Sequence, residues 1–133
     1  MKYPQMLELS SNPKNVERIE PFVEKMVGPY KINPDTYGNI LISLTEAVTN
    51  AIIHGNGEDE SKTVQVQLNK LKNKLAFRIT DEGKGFDYDN VPDPTSPENL
   101  LKIGGRGVFL MRQLCDDVKF HNNGSTVEIH FNI

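Results

Sequence analysis

Residues 41–56 read LISLTEAVTNAIIHGN, and the spacing of their apolar side chains predicts a helix at about 100° per residue. A narrow polar strip, made of Ser43, Glu46, Asn50 and His54, interrupts the apolar surface of this helix. Glu46, Asn50 and His54 follow one another at i, i+4 spacing, so their side chains stack along one line. The strip therefore brings an acid, an amide and an imidazole together on one face.

Apolar residues lie on both sides of this strip, because Ile42 and Ile53 fall beyond it. A surface helix has one wet face, so the pattern predicts a largely buried helix whose polar strip faces an enclosed cavity. A buried carboxylate without a partner is very costly, and Glu46 must therefore meet water, a metal or a ligand. The alternative is that Glu46 and Asn50 bond other polar groups of the core.

Length and composition favour an ordinary globular domain. The chain has 133 residues, and we expect one domain over residues 1–133. Its formal net charge of -3 argues against a nucleic-acid surface. We expect neither a membrane span nor a signal peptide, because no apolar run is long enough and the first residues are polar. The single cysteine, Cys115, fits a reducing cytoplasm and is expected to be a packed side chain rather than a nucleophile.

The order of secondary structure predicts an α+β fold. Two helices are expected over residues 12–28 and 33–55, each starting at an Asn-Pro pair, with a kink at Pro21 in the first. Residues 87–102 carry three prolines and little periodicity, which predicts a lid or binding loop at about 86–104, or a partly disordered segment. A short helix is expected over residues 108–114, and alternation predicts strands at 6–10, 64–68, 75–80, 118–120 and 127–133, the last with one dry face. The predicted architecture is a two-layer sandwich, a mostly antiparallel mixed sheet with helices packed on one face.

Asp81 follows a predicted strand and is itself followed by glycines at alternate positions, Gly83 and Gly85. Glycine lets the backbone approach a bound group without a Cβ in the way. The Asp81 carboxylate can accept a hydrogen bond from an exocyclic amine such as that of adenine. The alternative is an ordinary Asp turn at the end of a strand.

Gly105, Arg106 and Gly107 precede the short helix over residues 108–114. The free N–H groups and the positive dipole end of a helix N-terminus favour a phosphate, and Arg106 adds a charge-assisted contact. The alternative is a flexible hinge with a solvated arginine.

Three further side chains have candidate roles around such a nucleotide. The carbonyl oxygen of Asn50 suits Mg²⁺, which prefers oxygen ligands and keeps several waters. Glu46 can act as a general base for an attacking hydroxyl or water. Thr126, after Gly124, can contact the purine, although it also reads as an ordinary residue at the start of a strand. His54 fits better as a helix-end histidine that bonds the backbone.

The order of these motifs carries a resemblance. Glu-x-x-x-Asn on a helix is followed by Asp-x-Gly-x-Gly after a strand, a lid, Gly-x-Gly before a helix and Gly-x-Thr in the last hairpin. The set resembles the GHKL (Bergerat-fold) ATPases, which share the predicted architecture and in which the lid covers ATP. Residues 44–51 and 105–111 are most similar to the bacterial anti-sigma factor serine/threonine kinases.

The resemblance implies a site for ATP and Mg²⁺. Asn50 would hold the metal between the phosphates, Asp81 would bind the adenine amine, and Glu46 would activate the serine hydroxyl of a partner. The other implied nucleotide contacts are Gly83, Gly85, Gly105, Arg106, Gly107 and Thr126.

The resemblance also implies partners. The phosphorylated protein would be a small STAS-domain anti-sigma antagonist, and a sigma factor would be held in the ATP-bound state. Family members are commonly homodimers. Two other functions stay open, an ATP-gated module that binds a partner without phosphotransfer and a slow ATPase. Glu46 favours the kinase, because binding alone requires no general base.

Overall fold

A five-stranded antiparallel sheet with helices on one face makes up the core of the computed structural model, which describes residues 5–83 and 111–133. The predicted α+β class is confirmed. The sheet order is β1-β2-β3-β5-β4, and each of its four pairings is antiparallel. The elements are β1 Gln5–Ser10, α1 Ile19–Val27, α2 Pro34–Asn50, β2 Thr63–Lys70, β3 Lys74–Thr80, β4 Asp117–His121 and β5 Thr126–Asn132.

Helix α2 begins where the Asn-Pro signal predicts. The Asn33 side chain accepts a hydrogen bond from the Asp35 backbone N–H at 2.7 Å, and Pro34 occupies the first turn, where no intrahelical donor is needed. The buried side chains of α2 recur at helical spacing and face the sheet: Ile40, Ser43, Leu44, Ala47 and Val48. This single dry stripe fixes which side of α2 is left for the site.

The expectation that apolar side chains wall in the polar strip from both sides is wrong at Ile42. Its side chain is 46% exposed, whereas Ile53 is half-buried against the core. Ser43 belongs to the dry stripe rather than to the polar strip. Periodicity identifies the faces of a helix, but the packing of other elements decides which of them is covered.

The first helical segment starts differently from the prediction. A 3-10 helix over Pro13–Arg18, capped by the Asn12 side chain on Lys14 N at 3.0 Å, runs directly into α1. Pro21 falls in the first turn of α1, where a missing N–H leaves no helical bond unmade. The expected kink at Pro21 is therefore replaced by the junction between the two helix types.

The sheet contributes the other half of the core. Leu68, Phe77 and Ile129 lie side by side on three neighbouring strands and are completely buried. The rings of Phe77 and Phe131 meet edge to face, with centroids 6.1 Å apart. This layer holds the end of β3 in a fixed position relative to α2.

The last strand, β5, has its predicted dry face, but its polar side chains are also covered. Glu128 is only 9% exposed and His130 only 6%, because β5 lies between β3 and β4. Arg78 Nη2 donates to Glu128 Oε1 at 3.2 Å, and His130 Nε2 lies 3.4 Å from Glu128 Oε2. Pairing makes the burial of this carboxylate tolerable.

Two expectations from composition can be compared with the fold. Cys115 is half-buried against the core, and burial raises the pKa of its thiol to about 11, so it is a packed, protonated side chain as predicted. Among the helices over residues 5–83 and 111–133, none has the length and apolar character required to cross a bilayer. The expected lid at about 86–104 lies outside the described residues, and residues 111–114 are helical.

The hydroxyl of Ser43 yields a first prediction. It is fully buried in the dry stripe, and its Oγ has no hydrogen-bond partner in the described part of the chain. Ser43→Ala removes an unsatisfied buried group, so we expect the free energy of unfolding to rise by about 1 kcal/mol in urea titrations. Leu44→Ala, the adjacent control, should lower it by about 2–5 kcal/mol. A loss of stability in Ser43→Ala would show that the hydroxyl is paired.

Candidate functional site

The end of α2 changes its winding before it reaches the sheet. Residues Ala51–Gly55 form a π-helix, in which the Asn56 backbone N–H donates to the Ala51 carbonyl at 2.8 Å. π-Turns within helices are frequent at functional sites. The sequence predicted an ordinary helix here, since no local signal distinguishes a π-turn from an α-turn.

Gly55 lies in direct contact with Asp81, at the end of β3. A Cβ added to Gly55 would lie 2.4 Å from the Asp81 carboxyl carbon, and one added to Gly83 would lie 2.0 Å from the Gly55 carbonyl oxygen. Neither position has room for a side chain, so both must be glycine. Gly83 makes room for the Gly55 backbone, a different reason from the predicted approach of a ligand, and Gly55 was predicted only as the helix end.

The Asp81 carboxylate is half-buried and held in place by backbone groups. Its Oδ1 accepts a hydrogen bond from Gly83 N at 2.7 Å, and Asp81 N donates to Ser125 O at 2.9 Å. Burial raises the pKa of the Asp81 carboxyl, and the Gly83 hydrogen bond partly offsets this rise. A carboxylate that is partly removed from water is a strong acceptor for a ligand donor.

Thr126 lies close to the start of the Asp81 turn. It pairs across the sheet with Thr80, the residue before Asp81, and the two hydroxyl oxygens lie 3.4 Å apart. Asn122 Nδ2 donates to Thr126 Oγ1 at 3.5 Å. Thr126 is 4% exposed, so only a small part of its surface is accessible to a ligand.

Glu46 and Asn50 lie further back along α2, beside the dry stripe rather than within it. Both are half-buried, and no hydrogen bond joins either side chain to another residue in 5–83 or 111–133. Asn50 precedes Gly55 by five residues and Glu46 precedes it by nine. His54 is mostly exposed, and the partial desolvation of its ring lowers the pKa of the imidazole, which favours the neutral form.

The oxygen of Asn50 suits a metal whose other ligands are phosphate oxygens and water. Within the described ranges, no group of three or more His, Cys, Asp or Glu side chains is arranged to hold a metal ion. Magnesium does not need such a group, because one amide oxygen completes a shell made of phosphate oxygens and water. Asn50 has the required oxygen, and it is not used by the residues that the structure describes.

The structure thus joins part of the predicted site. Asp81, Gly83 and Thr126 meet at the ends of β3 and β5, and the helix carrying Glu46 and Asn50 ends against them. The remaining predicted contacts, Gly85, Gly105, Arg106 and Gly107, lie outside the described residues.

The contact between Gly55 and Asp81 predicts that alanine substitution will have opposite effects on stability at Gly55 and at Gly38. Gly55→Ala places a methyl group against the Asp81 carboxylate, and overpacking of this kind lowers stability by about 1–3 kcal/mol. Gly38→Ala, whose Cβ meets nothing within 4 Å, should raise it by about 0.5–1 kcal/mol. Thermal and urea unfolding measure both. Equal effects in the two variants would contradict the close contact.

Comparison with known proteins gives the family. Residues 9–131 match the family described as histidine kinase-like ATPase domain. The chain is similar to serine-protein kinase RsbW of Bacillus subtilis strain 168, with 32% identity over 100 residues, 70% of this chain and 62% of that protein. It is also similar to the proteins of the same name from Listeria monocytogenes serotype 4b, 32% identical over 97 residues (67% and 61%), and Oceanobacillus iheyensis, 30% identical over 90 residues (63% and 57%).

These alignments leave part of each relative unmatched. The chain spans 57% to 62% of the length of these three curated relatives. The family match, in contrast, covers nearly the whole chain, from the last two residues of β1 into β5. The chain belongs to the histidine kinase-like ATPase domain family.

Proposed function

We propose that this chain is an ATP-dependent protein-serine/threonine kinase that acts as an anti-sigma factor and phosphorylates a STAS-domain anti-sigma antagonist. The observation that carries the proposal is the half-buried Asp81 carboxylate, held where the end of α2 meets the sheet. Membership of an ATPase-domain family and similarity to proteins named serine-protein kinases support it. We also propose that the protein acts in the cytoplasm, where a regulator of transcription would meet its partners.

Asp81 would recognise the adenine base. One oxygen of its carboxylate accepts from Gly83 N, and the other, which accepts no hydrogen bond from residues 5–83 or 111–133, would accept from the exocyclic amine. The hydroxyl of Thr126 would lie next to the purine. Because the carboxylate is partly desolvated, its hydrogen bond to the amine would be stronger than one made in open water.

Asn50 and Glu46 would serve the phosphate end of the nucleotide. The Asn50 Oδ1 atom would hold Mg²⁺, which supplies charge neutralisation of the phosphates. Glu46, one turn earlier on the same face, would take the proton of the attacking serine hydroxyl. The proposed phosphate contacts of Gly105, Arg106 and Gly107, and that of Gly85 with the base, complete the site.

The proposed partners follow from this chemistry and from the resemblance. The serine would come from another protein, the STAS-domain antagonist, and a sigma factor would be bound while ATP is present. We further propose a homodimer.

A transfer assay tests the kinase against its rivals. The chain is incubated with γ-labelled ATP, Mg²⁺ and a STAS-domain protein encoded beside it, and the label is mapped. Label on a serine of the partner supports the kinase. ATP-dependent complex formation without label would identify a binding module, and phosphate release without any partner would identify an ATPase.

The same assay yields a prediction for Glu46. Glu46→Gln keeps the size of the side chain and removes its basicity, so kcat for transfer should fall about a hundredfold or more with little change in ATP affinity. Glu24→Gln, which changes an exposed glutamate on α1, should leave kcat unchanged. Full activity in Glu46→Gln would place the general base elsewhere.

A further prediction concerns Asp81, whose charge is unfavourable in the free protein because burial raises the pKa of the carboxyl. Since its pKa is raised in the folded state, its contribution to stability is largest at low pH and is lost as pH rises through the folded pKa. Asp81→Asn removes the charge, so the Tm at pH 7 should match or exceed that of the wild type.

Although Asp81→Asn should not lower the Tm, it should weaken nucleotide binding. The substitution Asp81→Asn replaces an acceptor oxygen with an amide nitrogen, which would face the adenine amine as a second donor. It should therefore weaken ATP binding about tenfold or more in calorimetric titrations. Asp59→Asn is the control, because hydrogen bonds from Ser61 hold the pKa of that exposed carboxyl below its usual value. It should neither raise the Tm nor change ATP affinity. A lower Tm together with unchanged ATP affinity in Asp81→Asn would contradict the assignment.

A further inference from the structure

Asn56 is a buried amide at the end of the π-helix, and its side chain joins three separate segments. It is 3% exposed. Its Nδ2 donates to Ser11 Oγ at 2.9 Å and to Thr63 O at 3.0 Å. Its Oδ1 accepts from Glu82 N at 2.7 Å. Both of its donor hydrogens and one acceptor position are therefore used, which is typical of a polar group that specifies an arrangement.

The bond to Glu82 acts directly on the Asp81 turn. On one side, Asp81 N is held by Ser125 O at 2.9 Å. On the other side, Glu82 N is held by Asn56. The Glu82 carboxylate adds a third attachment, because its Oε2 accepts from Thr63 N at 2.5 Å. Two consecutive backbone amides are thus fixed from opposite directions, and the direction of the Asp81 side chain follows from them.

We propose that Asn56 is a positioning residue that gives the site its selectivity for adenine over guanine. The inference rests on the proposed role of Asp81 as acceptor for the base. A carboxylate accepts from the amine of adenine and repels the carbonyl oxygen that guanine carries at the same position. This discrimination depends on hydrogen-bond geometry and falls steeply as the bond is bent or lengthened.

A purely structural role for Asn56 makes a different prediction, and Ser11 separates the two. Ser11 is completely buried and belongs to the same network, since it accepts from Asn56 and its Oγ donates to Lys62 O at 2.7 Å. Ser11→Ala therefore weakens the network while leaving the bond between Asn56 and Glu82 N in place. It is the matched control for a loss of stability without a change in the Asp81 turn.

The experiment measures ATP and GTP affinities by calorimetry for the whole chain and for Asn56→Ala, Asn56→Asp and Ser11→Ala. We expect Asn56→Ala to reduce the ratio of ATP to GTP affinity roughly tenfold or more, mainly by weakening ATP. Asn56→Asp keeps an acceptor for Glu82 N and should restore most of the ratio despite a lower Tm. Ser11→Ala should lower the Tm and leave the ratio unchanged.

Backbone amide exchange of Glu82, recorded without nucleotide, tests the anchor independently of any function. Protection of this amide should be lost in Asn56→Ala and kept in Ser11→Ala. If Asn56→Ala does not fold, Asn56→Ser, whose hydroxyl is too short to reach Glu82 N, must show the same fall in the ratio.

An unchanged ATP to GTP ratio in Asn56→Ala, or in Asn56→Ser where the alanine variant does not fold, alongside a reduced ratio in Asp81→Asn, would overturn this inference and leave the proposed function standing. An unchanged ratio in Asp81→Asn would instead overturn the proposed function. Retained protection of Glu82 in Asn56→Ala would show that Asn56 does not hold the turn.

Discussion

The backbone of Gly55 lies against the carboxylate of Asp81, and the rest of the site depends on this contact. A side chain at position 55 would collide with the carboxylate, and one at position 83 would collide with the Gly55 carbonyl. The end of the long helix therefore docks onto the turn after β3 without intervening side chains. This contact fixes the position of α2, which carries Glu46 and Asn50, relative to the sheet end that carries Asp81.

The contact also explains the electrostatics of the site. Docking removes water from Asp81 and raises the pKa of its carboxyl, while the only side-chain hydrogen bond drawn from the described residues comes from Gly83 N. The free protein accepts this unfavourable charge because backbone bonds on either side of the turn hold it in place. A ligand that donates to the carboxylate would relieve the cost, and so the same burial that destabilises the free protein would strengthen binding.

Local signals predicted most of the fold. Asn-Pro pairs gave the starts of both helical segments, since capping and proline geometry act within one turn. Alternation gave the strands, because their apolar face is buried under the helices. The exposure of Ile42 and the burial of Glu128 were not predictable, because both depend on which elements lie beside them.

The candidate site divides in the same way. Glu46, Asn50 and Asp81 could be proposed as candidates from residue type and spacing alone, since the chemistry of each side chain is local. The π-turn and the fit of Gly55 against Asp81 arise only when residues distant in sequence meet, and a glycine after a helix has many explanations. Asn56, which follows that glycine, gave no signal of its own beyond ending a helix.

A crystal structure of the chain with a non-hydrolysable ATP analogue and Mg²⁺ would show whether the contact between Gly55 and Asp81 forms an adenine site. We expect the exocyclic amine of adenine at about 3 Å from the Asp81 carboxylate, with the metal on Asn50 Oδ1. A nucleotide bound elsewhere, or an adenine that leaves Asp81 bonded only to Gly83, would contradict it.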